Sequence, residues 1–130
     1  MRPSRDHDLI LVVDDDVDLR EAIQDALEQD GYVTAGARDG SDALSYLGAN
    51  PPPALILLDW NMAPMNGSQF LTELAKQERY AAIPVVLLTA DAHFDRKAKT
   101  EGVAAALKKP VRLAELFALV ARYCGGAPAG

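Results

Sequence analysis

Cysteine is nearly absent from this chain. The single thiol, Cys124, has no partner for an intramolecular disulfide, which fits a reducing compartment. Long hydrophobic runs are missing as well: no segment approaches the roughly 18 apolar residues of a membrane helix. Residues 1–8 are polar and lack the apolar centre of a secretion signal. No membrane insertion is expected, and the expected location is the cytoplasm. Positive charge is also scarce. Thirteen Lys and Arg stand against 19 Asp and Glu, a formal net charge of −6, and the basic residues do not gather into a patch. Such a field repels a phosphate backbone, so direct binding of nucleic acid is not expected.

What is present belongs to an ordinary globular protein. Of 130 residues, 49% are hydrophobic and 25% charged, enough to bury one core. Short runs rich in Val, Ile and Leu alternate with longer amphipathic stretches, the pattern of a parallel α/β sheet. The runs are residues 9–13, 32–37, 54–58, 85–89 and 103–107. The first, third and fourth are almost continuously apolar, as strands covered on both faces must be.

Between the runs, residues 17–30 put Leu19, Ile23, Ala26 and Leu27 on one helical face, with Gly31 suited to the left-handed turn that follows. Ser41 is the expected N-cap of a short helix to Leu47, and Pro51 to Pro53 form a stiff lead into the third strand. A third helix spans residues 67–79, striped by Phe70, Leu71 and Leu74. A fourth, over residues 92–101, offers only Phe94 and Ala98 to a core and is expected to pack weakly. Leu113, Leu116, Phe117 and Val120 define a fifth. Five βα units predict one three-layer α/β sandwich, flanked by an N-terminal tail (residues 1–8) and a flexible C-terminal tail (residues 124–130).

Chemistry concentrates where strands end. Asp14, Asp15 and Asp16 directly follow the first apolar run, Asp59 follows the third, Thr89 closes the fourth, and Lys109 lies just past the fifth. Ligands of open parallel sheets bind at this carboxyl edge, so these groups are expected in one crevice. Asp16 is read as the N-cap of the first helix. Carboxylates crowded together repel unless a cation joins them. Hard oxygen donors with no His or Cys nearby suit Mg²⁺ or Mn²⁺ rather than zinc.

The segments LILVVDDD, LILLDWNMAPMNG, PVVLLTA and LKKP resemble the signatures of receiver domains from bacterial two-component response regulators, over residues 9–123. The resemblance implies a doubly wound, five-stranded parallel sheet in the flavodoxin-like order 2-1-3-4-5. It also implies that Asp59 is the phosphoacceptor and that Asp15 ligates Mg²⁺ directly. Asp14 would act through a water, and the backbone carbonyl of Asn61 would complete the protein's ligands. Lys109 and Thr89 would meet the phosphoryl oxygens, aided by a cis Lys109–Pro110 bond. The implied donor is a histidine kinase or histidine phosphotransfer protein, and the output is altered binding to a downstream protein that the sequence does not name.

Some positions depart from the family. Ala63 stands where proline is usual, with Pro64 after it, and Ala106 replaces the usual aromatic residue three before Lys109. An alanine has no ring to turn inward, so output must use other elements or the charge at the site itself. Trp60 is expected over the pocket, while His93 and Phe94 are read as a solvent-exposed residue and a core anchor. Two rival functions stand beside the switch. A Mg²⁺-dependent phosphatase working through an aspartyl phosphate would carry a second acid two residues past its nucleophile, where this chain has Asn61. A receiver that docks without phosphorylation would not need the full set of acids, hydroxyl and ammonium. The expectation is a switch that promotes only its own phosphorylation and dephosphorylation, not an enzyme.

Overall fold

The computed structural model describes residues 9–59, 67–89 and 103–124, with Ser68 traced by its backbone alone. Five parallel strands form one sheet: β1 (Ile10–Val13), β2 (Thr34–Ala37), β3 (Leu55–Asp59), β4 (Val85–Thr89) and β5 (Ala105–Lys108). Their spatial order is β2-β1-β3-β4-β5, the flavodoxin-like order expected, with β1 between β2 and β3. The described helices are α1 (Val17–Gln29), α2 (Gly40–Ala49), α3 (Gly67–Ala75) and α4 (Leu113–Tyr123), the last being the fifth helical stretch of the sequence.

Strand alternation builds two cores, one on each face of the sheet. Ile10, Val12, Leu55, Leu57, Val86 and Leu88 pack with Ile23 and Leu27 of α1 and Leu116 and Val120 of α4. Leu11, Val13, Ile56, Leu58, Val85 and Leu87 pack with Ala43 and Leu47 of α2 and Phe70, Leu71 and Leu74 of α3. Because β1, β3 and β4 are buried on both faces, their sequences are apolar up to the terminal Asp59 of β3 and Thr89 of β4. The doubly wound sandwich leaves the ends of these strands as the place for polar groups.

Element ends differ from the sequence reading where a specific contact intervenes. Asp16 caps α1 as expected, accepting from the amide of Leu19, and Gly31 takes φ 95° after it. Tyr32 is still part of that turn, its amide donating to Leu27 O, so β2 starts at Thr34 rather than Tyr32. Helix α2 is capped by Asp39, not Ser41: the Asp39 carboxylate accepts from the amide of Asp42 at 2.8 Å. A charged oxygen facing the positive end of a helix outcompetes a hydroxyl two residues later. The same helix runs on to Ala49.

Helix α3 stops at Ala75 instead of Arg79. Its last turn tightens through Lys76 to Glu73 and Gln77 to Leu74 bonds, and a 3₁₀ turn (Glu78–Tyr80) follows. That turn brings Tyr80 inward, where its hydroxyl donates to Leu47 O at 2.9 Å. The expected helix at 92–101 lies outside the described residues, as do the expectations for Trp60, Ala63, Pro64, His93, Phe94 and both tails. Among the described residues, no helix is long and apolar enough to cross a membrane.

Candidate functional site

The consecutive acids after β1 have three different positions. Asp14 continues the ladder, its amide donating to Ala37 O, and its side chain is fully buried at the sheet edge. One of its oxygens, Oδ1, accepts from the amide of Asp16 at 2.9 Å. Asp15 is exposed at the mouth, and Asp16 turns away to cap α1. Asp59 is the last residue of β3 and is also buried.

Thr89 ends β4, one step past the residue that pairs with Asp59. Its side chain is buried, and its carbonyl accepts the amide of Lys109 at 2.7 Å. This bond anchors the chain leaving β5 just before a cis Lys109–Pro110 peptide, the isomer implied by the resemblance. From there the lysine side chain crosses β4. Its Nζ lies 3.2 Å from Asp59 Oδ1 and 3.5 Å from Asp14 Oδ2. Partial burial works against the ammonium, but attraction and hydrogen bonding from Asp14 and Asp59 outweigh it and hold its pKa above the usual lysine range.

Carboxylate oxygens of Asp14, Asp15 and Asp59 all lie within 4.8 Å of one another. Three hard anionic donors, with one ammonium beside two of them, retain an excess of negative charge. That is a donor set suited to an oxygen-seeking divalent cation. The structure thus brings together the side chains of Asp14, Asp15, Asp59 and Lys109 and places Thr89 at the same edge. Asn61 lies outside the described residues. Sequence reasoning missed Arg20, whose Nη1 donates to the carbonyl oxygen of Asp14 at 2.8 Å. No sequence signal marks it: the structure alone shows its side chain passing over Gly36 of β2.

Residues 10–121 match the family model described as "Response regulator receiver domain". The chain belongs to the response-regulator receiver domain family. This receiver is 42% identical over 81 residues to the phosphate regulon transcriptional regulatory protein PhoB of Escherichia coli K12. The match covers 62% of this chain but 35% of PhoB, so the chain spans about a third of that relative. Among solved structures, chemotaxis protein CheY4 of Vibrio cholerae superposes with TM-score 0.81 at 28% identity, covering 88% of this chain and 97% of that one. The receiver domain of the sensor histidine kinase PA1611 from Pseudomonas aeruginosa PAO1 superposes with TM-score 0.82 at 27% identity, covering 92% and 98%. Its active-site cleft coordinates a magnesium ion. This receiver therefore shares a family with the receiver domains of two-component signalling proteins, which are switches rather than conventional enzymes.

Proposed function

We propose that this receiver accepts a phosphoryl group on Asp59 from a histidine kinase or histidine phosphotransfer protein, and that the modification alters its binding to a downstream protein. The observation that carries the reading is Lys109, whose ammonium sits between the buried carboxylates of Asp59 and Asp14 while Asp15 faces the same point. Phosphoryl transfer asks little covalent help of a protein but much positioning and charge neutralisation. A carboxylate oxygen of Asp59 forms the new P–O bond as the P–N bond of a phosphohistidine breaks, and the imidazole leaves with the electron pair. Lys109 then exchanges part of its contact with Asp59 for a phosphoryl oxygen. The buried hydroxyl of Thr89 donates to another.

The residues fit Mg²⁺, with Mn²⁺ as a substitute, because among the described residues the three carboxylates converge without a His or Cys ligand. Asp15 and Asp59 would hold the ion directly, Asp14 through a water, and the backbone of Asn61 would supply a further oxygen. The magnesium in the cleft of the PA1611 receiver supports that choice. When bound, the ion supplies positive charge to the phosphoryl oxygens. The switch unit spans residues 9–123, works in the cytoplasm and turns over no outside substrate.

The test is to incubate the full chain with Mg²⁺ and acetyl phosphate and record intact mass. One phosphoryl group, stable in acid and released by hydroxylamine, is expected on the wild type and none on Asp59→Asn. Undiminished labelling of Asp59→Asn overturns the assignment.

A further inference from the structure

The structure assigns Arg20 a positioning role: its guanidinium, laid across β2 at Gly36, grips the Asp14–Asp15 peptide and sets the two carboxylates for a divalent cation. The inference rests on the cation reading given above and concerns how the acids are held in place.

Arg20, Gln24 and Glu28 recur every four residues and so form one stripe along α1. The stripe lies over the small residues of β2. Gln24 Nε2 donates to Thr34 Oγ1 at 3.2 Å, and that hydroxyl donates to Glu28. At Gly36 there is no side chain in the way. A Cβ placed there would sit 2.7 Å from Gln24 Oε1 and 3.2 Å from Cδ and Nε of Arg20. The bare glycine is therefore the floor over which Arg20 passes to reach Asp14 O at 2.8 Å.

That carbonyl belongs to the peptide joining Asp14 to Asp15. Asp14 is fixed at three other points as well: its amide on Ala37, Oδ1 on the amide of Asp16, and Oδ2 facing Lys109. Asp15 is exposed, so its carboxylate takes its direction from this backbone. A charge-assisted bond to the shared peptide is stronger than a neutral one and holds its plane. Arg20 also carries positive charge, which by itself opposes a cation. Positioning and charge thus predict opposite signs when Arg20 is removed.

The experiment is calorimetric titration of the full chain with Mg²⁺ alone, with melting in EDTA to verify that each variant is folded. Arg20→Ala is expected to weaken Mg²⁺ binding roughly tenfold, the lower end of what outer partners of metal ligands contribute. Arg20→Lys, which keeps the charge and part of the reach, recovers some of that loss. Gly36→Val keeps the arginine but fills its path, and it should weaken binding similarly. The double variant should be no weaker than either single change. Without metal, the amide of Asp16 should exchange faster in Arg20→Ala, because the carboxylate that accepts it is less well fixed. Unchanged or tighter Mg²⁺ binding in Arg20→Ala, with binding abolished in Asp15→Asn, overturns the positioning role and leaves the cation site standing. Should Arg20→Ala not fold, unchanged affinity in both Arg20→Lys and Gly36→Val overturns it equally. If Asp15→Asn binds Mg²⁺ as well as the wild type, the cation reading fails and this inference fails with it.

Discussion

Lys109 joins the two most buried acids of the edge, and its protonation makes their company tolerable. Its pKa is raised in the folded state, so its contribution to stability is fully present below the ordinary lysine pKa. That contribution is lost as pH rises through the higher folded value. In EDTA, Lys109→Met should be less stable than the wild type by about 1–2 kcal/mol near pH 8, as expected for charged hydrogen bonds at a partly exposed site. Denaturant unfolding at several pH values checks the sign: the gap should narrow above the lysine range, and a constant gap would show that packing of the stem matters instead. The polar residues of the edge were legible in the sequence because each follows an apolar run. Arg20 was not, since an arginine among Asp18, Glu21 and Asp25 on an amphipathic helix reads as solvated surface. Only the seat at Gly36 distinguishes it from its neighbours.

Among the elements, strands β1, β3 and β4 were readable to within a residue, because burial on both faces leaves apolar side chains up to the last residue of β3 and of β4. Helix ends were less readable. Asp39 and Ser41 are both acceptable caps by residue type, and the choice depends on which one's backbone is extended; Asp39 has φ −160° and ψ −177°. Asp39→Ala should destabilise the fold by about 1 kcal/mol, whereas Ser41→Ala, at an exposed position inside the helix, should fall within about 0.5 kcal/mol of the wild type. Equal losses in thermal melts would reinstate Ser41 as the cap. The early end of α3 was not legible for a different reason. Tyr80 is drawn in by Leu47, a residue 33 positions earlier, and no local pattern announces such a bond.

For the whole molecule, the question is how an event at Asp59 reaches the rest of the fold. Ala106 lies half-buried on β5 against the core shared with α2 and α3, three residues before Lys109. A methyl group has no alternative rotamer, so the sheet face that β5 shares with α2 and α3 lacks one of the contacts that could differ between two states, and α4 packs on the opposite face. A ligand shifts an equilibrium only by its differential affinity for those states. Phosphorylation is therefore expected to change amide exchange at the end of β4 and little across α4, Leu113–Tyr123. Exchange measured by mass spectrometry on both forms decides this, and equally large changes throughout α4 would reveal a second route.

The ion pair between Lys109 and Asp14 closes a separation of 95 positions along the chain. During synthesis the acids of β1 leave the ribosome long before the ammonium that neutralises them exists. Loop closure of that span comes late, because distant pairings are costly to form before nearer ones support them. A chain made only as far as β2 holds Asp14 and Asp15 but not the ammonium that the finished fold sets beside Asp14. Among the described residues the cation beside Asp59 is Lys109, so the charge balance of this edge is a record of how far the chain has been made.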